Sequence, residues 1–115
     1  MSVTIYHNPR CSKSRQTLQL IRDRGIEPKI VEYLETPPDA ATLGEILDQL
    51  GKAPREVMRK KEAPYKALGL DDEGLSRAAL IEAMVANPIL IERPIVCANG
   101  KAALGRPPEA VAEIL

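Results

Sequence analysis

The sequence predicts an α/β fold, a four-stranded mixed sheet assembled from a β-α-β half and a β-β-α half with helices inserted between them. Three stretches carry the prediction. "VTIYH" at Val3 to His7 is a β-branched and aromatic run stopped by Asn8-Pro9, the signature of a strand running into a turn. "IVCANGKAAL" places two apolar runs around Asn99-Gly100, the dipeptide that best suits a tight antiparallel hairpin. "GRPPEAVAEIL" then starts a last helix with prolines in its first turn, where a missing N–H costs little.

The remaining elements follow in order. Thr17, Leu18 and Ile21 repeat at helical spacing from about Ser12, and Gly25 suits a C-terminal cap. "PKIVEYLE" returns as a strand and "TPPDAATL" breaks it. A strand, a crossover helix and a second strand imply a parallel pair. Asp39 or Thr42 suits the start of a helix carrying Leu43, Ile46, Leu47 and Leu50, closed by Gly51. Pro54 to Lys61 reads as a second helix, and Ser76 to Val85 as a third with Leu80, Ile81, Met84 and Val85 on one face. The expectation is one domain over residues 1–115, with a helical insert at about 39–90.

Composition narrows the function. With 115 residues, 44% of them hydrophobic, the chain is long enough for one domain with a core of its own. Sixteen basic residues balance sixteen acidic ones, so no global charge draws it to nucleic acid or to an anionic membrane. The N-terminus lacks a charged-then-apolar signal and no apolar run approaches a membrane span, which makes the cytoplasm the expected compartment. Two cysteines and one histidine cannot supply an ordinary four-ligand zinc site. No metal is expected.

The chemistry concentrates in "HNPRCSKSR", His7 to Arg15. An ordinary thiol with a pKa near 8.5 is only about 3% thiolate at pH 7, so a thiol nucleophile needs positive potential around it. Cys11 falls at the expected N-terminus of the first helix, where unpaired N–H groups and the macrodipole favour an anion. Arg10 and Lys13 flank it, and Arg15, one turn on, is expected beneath the thiol. His7, protonated, would add charge; neutral, it would accept the thiol proton; a third reading makes it only the end of the strand. Ser12 and Ser14 suit a helix start, and Ser14, at the second position of a CxxC spacing, is also placed to bond the thiolate. Lys13 reads as a solvated charge. Arg93 and Arg106 each precede a proline at the start of a strand and of a helix, on segments expected near the Cys11 turn. Cys97, in the apolar run "IVC", reads as core.

The order of elements is that of a thioredoxin-like fold. "YHNPRCSKSR", "VMRK" at Val57 to Lys60, "ERPIV" at Glu92 to Val96 and "GRPPE" at Gly105 to Glu109 together resemble the glutaredoxin-linked arsenate reductases over nearly the whole chain. The resemblance implies that Cys11 is the nucleophile and that His7 tunes it. It further implies that Arg59, Arg93 and Arg106 hold the oxyanion, and that Pro94 carries the cis bond found opposite the active cysteine. Without the family match Arg59 would be a surface residue of the run "RKK".

The implied reaction is attack of the Cys11 thiolate on arsenate, with glutathione as co-substrate and glutaredoxin completing the cycle, and with no bound cofactor. Two other classes stay open. One is a general glutathione-linked thiol-disulfide oxidoreductase that needs no oxyanion site. The other is a redox-linked regulatory binding protein, because the same fold occurs in a transcription regulator that binds RNA polymerase and senses redox state through CxxC. "CSKS" lacks that second cysteine.

Overall fold

A computed structural model describes residues 2–115. The chain forms two compact units, one from the residues up to Pro37 together with Arg93–Leu115, the other from Pro38–Glu92.

The first unit holds the sheet. Strand β1 (Val3–His7), helix α1 (Ser12–Asp23) and strand β2 (Lys29–Glu32) are followed, after the second unit, by β3 (Ile95–Ala98), β4 (Lys101–Leu104) and a 3-10 helix over Pro108–Ile114. Strand order is β2-β1-β3-β4. β1 runs parallel to β2 and antiparallel to β3, and β3 is antiparallel to β4, so the sheet is mixed. Alternation decides which side is filled: Val3 and Ile5 of β1 and Val96 and Ala98 of β3 meet Leu18 and Ile21 of α1 and Val111 of the 3-10 helix in one buried cluster. One face of the sheet is thereby covered by two helical segments.

Local chemistry explains the boundaries. Helix α1 ends in a Schellman arrangement, with the N–H of Gly25 on the Arg22 carbonyl, that of Ile26 on the Ile21 carbonyl and Gly25 at φ 77°. Asn99 and Gly100 both take positive φ, 55° and 74°, as a type I′ hairpin turn requires. The strand in "PKIVEYLE" is shorter than expected. It stops at Glu32 because the N–H groups of Glu35 and Thr36 both turn back to the Glu32 carbonyl. The last helix is 3-10 in pitch. Val111 and Ile114, three residues apart, suit that pitch as well as the α pitch, so apolar spacing does not distinguish them.

The second unit contains α2 (Ala40–Leu50), α3 (Ala63–Ala67) and α4 (Arg77–Ala86), with short 3-10 turns at Pro54–Val57 and Pro88–Leu90. The Asp39 carboxylate accepts from the Thr42 N–H to cap α2, and the Ser76 hydroxyl accepts from Ala79 to cap α4. On α4, Leu80, Ile81 and Met84 are buried and Val85 is half-buried. The helix expected from Pro54 to Lys61 is not formed. It ends at Val57 because the next residues pair across the chain: Met58 bridges Ile91, the Arg59 N–H donates to the Leu90 carbonyl at 2.7 Å and the Glu92 N–H to the Val57 carbonyl at 2.8 Å. Helix α3, with no apolar stripe and no buried residue, left no periodic signal.

Among the described residues no helix is long and apolar enough to cross a membrane.

Gly51 closes α2 at φ 67°, and a Cβ there would meet nothing within 4 Å. The cost of Gly51→Ala is therefore purely that of a left-handed backbone, about 1 kcal/mol. Urea unfolding should show a lower midpoint with an unchanged slope.

Candidate active site

The turn between β1 and α1 is organised by Asn8. Its side-chain carbonyl accepts from the Arg10 N–H at 3.0 Å, and its backbone carbonyl accepts from the Cys11 N–H at 3.0 Å. The chain is thereby folded back so that Cys11, extended at φ −94°, ψ 123°, becomes the residue from which α1 starts; its carbonyl takes the Arg15 N–H at 3.0 Å. Ser14, fully buried, secures this turn from the helix side. Its hydroxyl oxygen accepts from the Asn8 N–H at 3.0 Å and lies 2.6 Å from Nδ1 of His7. The sequence offered Ser14 as a helix-start residue satisfying N–H groups or as a partner of the thiolate; its hydroxyl is engaged with the Asn8 N–H and with His7. Ser14 serves Cys11 through its backbone N–H instead. Asn8 was missed as a functional residue, although an asparagine before proline at a strand end is itself a turn signal.

Cys11 is half-buried, and burial by itself would raise its thiol pKa. The N–H of Ser14, the Arg93 guanidinium, the N–H of Lys13 and the Arg106 guanidinium act the other way, and the balance leaves the thiol below its ordinary value. The sulfur closes no strict capping bond; the helix N-terminus acts on it as an array of dipoles. Arg106 touches the thiol, with Nη2 3.7 Å from Sγ, and its Nε donates to the Arg93 carbonyl at 2.7 Å. Two arginines thus reach the thiol from chain segments some eighty and ninety-five residues beyond it, and the Arg93–Pro94 peptide that leads from the first of them into β3 is cis. Arg15, expected beneath the sulfur, is held by a carbonyl of the same turn. Its Nη1 donates to the Pro9 carbonyl at 2.9 Å, bracing the turn from outside, while Lys13 is exposed.

His7 is only 6% exposed. Burial holds its pKa below 6.5 against the pull of Glu32, and Arg22 and Arg15 lower it further. That direction favours the neutral imidazole near pH 7. A cavity of about 240 Å³ opens beside it, lined by Asn8, Pro9, Arg10, Glu32, Leu34 and Glu35. Arg59 lies in the other unit, where its Nη1 is 3.5 Å from Glu62 Oε1. Cys97 is a free thiol, half-buried rather than core. Val96 and Ala98 on either side of it point into the cluster under α1, so the strand's alternation turns Cys97 to the other face. Burial still pushes its thiol up to about 11.

A low-pKa cysteine at a helix N-terminus, held under two arginines, is chemically a nucleophile facing an anion site. The ArsC family matches residues 6–114 of this chain. The chain belongs to the ArsC family. As an ArsC protein it is 63% identical over 114 residues to the uncharacterized protein YfgD of Escherichia coli K12, covering 98% of this chain and 96% of that one. It is 52% identical over 114 residues to a Neisseria meningitidis protein named arsenate reductase, covering 98% and 97%. A solved structure of an arsenate reductase from Vibrio cholerae superposes with a TM-score of 0.96 at 55% identity, over 100% of this chain and 98% of that one. The fold of this ArsC chain is therefore thioredoxin-like, as the order of elements predicts.

Ultraviolet titration of Cys97→Ser protein isolates the Cys11 thiolate. Its absorbance should reach half-height below the ordinary thiol range, and alkylation should slow as pH falls through that lowered value. An unshifted titration would mean that the N–H groups of α1 and the two arginines do not outweigh burial at the sulfur.

Proposed function

We propose that this protein reduces arsenate to arsenite. The observation that carries the reading is the convergence of the Arg93 and Arg106 guanidinium groups on the Cys11 thiol at the start of α1, supported by the names of its close relatives. A thiolate alone would serve disulfide exchange. A thiolate with arginines at hand also binds the oxygens of the centre it attacks, because a guanidinium fork matches an oxyanion in plane and in charge. The Cys11 thiolate attacks As(V) and forms an S–As bond as the As–O bond to an arsenate hydroxyl breaks, the hydroxyl taking a proton from solvent and leaving as water. Arg93 and Arg106, with Arg59 assigned to the same task on the family resemblance, balance the charge on the remaining oxygens. His7 is a positioning residue, acting through Ser14.

Reduction of As(V) to As(III) takes two electrons, and two thiols supply them by becoming one disulfide. Cys11 is one of the two. Ser14 stands where a CxxC would hold the second, and a hydroxyl does no such chemistry. Cys97, with its thiol pushed up to about 11, is a poor nucleophile near pH 7. Glutathione is therefore assigned the second thiol, and glutaredoxin the reduction of the mixed disulfide on Cys11.

The direct test is arsenite formation by purified protein with glutathione and glutaredoxin, against Cys11→Ser. No arsenite from the wild type, with turnover of a glutathione mixed disulfide, would replace this reading by a general thiol-disulfide oxidoreductase.

Two further outcomes follow from the geometry. Arg93→Lys and Arg106→Lys keep a charge but lose the fork, and should each lower kcat/KM for arsenate by roughly ten- to a hundredfold with little change in melting temperature. Arg59→Lys tests the assignment that rests on resemblance alone.

Cys97→Ser should retain most activity, with turnover supported by glutathione and glutaredoxin better than by thioredoxin. Loss of activity together with a Cys11–Cys97 disulfide seen by mass spectrometry would make Cys97 the resolving thiol.

A further inference from the structure

Gly105 links β4 to Arg106, and what demands a glycine there is space. A Cβ at this position would lie 2.6 Å from Cγ of Pro94 and 3.1 Å from Cγ2 of Thr17, with Oγ1 of Thr17 nearer still. Neither neighbour yields easily. Thr17 is fully buried and β-branched, and its hydroxyl donates to the Lys13 carbonyl at 2.8 Å, which fixes its rotamer. Pro94 is a rigid ring whose own carbonyl accepts the Gly105 N–H at 2.9 Å. The residue immediately beyond is the one whose guanidinium touches both the Arg93 carbonyl and the Cys11 sulfur.

We propose that Gly105 is a positioning residue of the thiol site: its missing side chain lets the segment leaving β4 close onto Thr17 and Pro94, and that closure sets Arg106 against Cys11. Thr17 belongs to the same helix that Cys11 starts, about 9 Å along its axis. Contact with Thr17 therefore indexes Arg106 to the rigid body that carries the nucleophile, and contact with Pro94 indexes it to the residue after Arg93. A side chain at 105 would have to move the segment from 2.6 Å toward the ordinary 3.4–4 Å of van der Waals contact. A displacement of about 1 Å is enough to cost up to roughly a hundredfold at a reacting centre. The contribution of Arg106 to arsenate binding rests on the function proposed above; its contact with the sulfur does not.

The test uses Gly105→Ala, with Thr17→Val as a milder variant that turns a bulkier methyl toward Gly105, each in a Cys97→Ser background. Gly105→Ala should raise the Cys11 pKa in the same direction as Arg106→Ala and raise KM for arsenate by about tenfold or more, while Thr17→Val shifts both the same way by less. In an Arg106→Ala background Gly105→Ala should add nothing to either quantity, because it acts through Arg106. A folded Gly105→Ala protein with a wild-type Cys11 titration, or with effects additive to Arg106→Ala, would overturn the proposal. If Gly105→Ala does not fold, Thr17→Val decides: a folded protein with an unmoved titration overturns it equally. Wild-type protein that forms no arsenite would remove the proposed substrate and leave the titration test intact.

Discussion

The site depends on one buried oxygen, the Ser14 hydroxyl. It joins the end of a strand to the first turn of a helix by holding the Asn8 N–H at 3.0 Å and the His7 ring nitrogen at 2.6 Å. Each of these groups is buried, and a buried donor or acceptor left unpaired costs about 1–3 kcal/mol. The turn therefore has little freedom to open. Because it is closed, the Asn8 carbonyl meets the Cys11 N–H, α1 starts at Cys11, and the N–H groups of Lys13 and Ser14 face the sulfur. A neutral His7 suits this arrangement. The Ser14 oxygen, which already accepts from Asn8, keeps its own hydrogen and a second lone pair for Nδ1, so either tautomer closes the bond.

Nucleophile and cations reach the site by different routes. Cys11 is placed by contacts within eight residues, all of them in one turn. Arg93 and Arg106 are placed by the sheet, because β3 pairs with β1 and with β4 and so returns both ends of the hairpin to the place where β1 ends. Ile95 stands opposite Tyr6 on β1 and opposite Leu104 on β4. Sheet register thus fixes where two distant arginines emerge relative to His7 and the turn after it.

How much of this was legible follows the same division. Features written in local chemistry were read correctly: Asn8-Pro9 ending β1, Gly25 and Gly51 ending helices, Asn99-Gly100 turning the hairpin. Features decided by distant partners were not. The segment after Pro54 has helical composition, yet its backbone from Val57 to Arg59 pairs with residues 90–92, more than thirty positions away. Arg15 lies one turn after Cys11, and spacing alone does not say which of the acceptors within reach its long side chain takes, here the Pro9 carbonyl. Ser14 was singled out by its spacing, while its partner on β1 became visible only with the fold. Arg93 and Arg106 each precede a proline on a segment expected near the Cys11 turn, and family resemblance supplied their role as oxyanion holders.

The choice of partners also separates site arginines from surface ones. Arg22 meets Glu27 and Arg77 meets Asp48, each at about 3 Å and exposed, pairs that cancel charge and contribute little to stability. Arg106 and Arg15 are oriented through bonds to the carbonyls of Arg93 and Pro9. A carbonyl fixes the direction of a guanidinium and brings no full opposite charge, so these bonds position a cation without neutralising it. At Cys11 the result is a thiol held below its ordinary pKa although burial acts against it. In a chain with as many acidic as basic residues, the positive potential that Arg93 and Arg106 put on Cys11 is local. Arg59 has Glu62 3.5 Å away, so an oxyanion taken up by Arg59 would have to compete with that carboxylate.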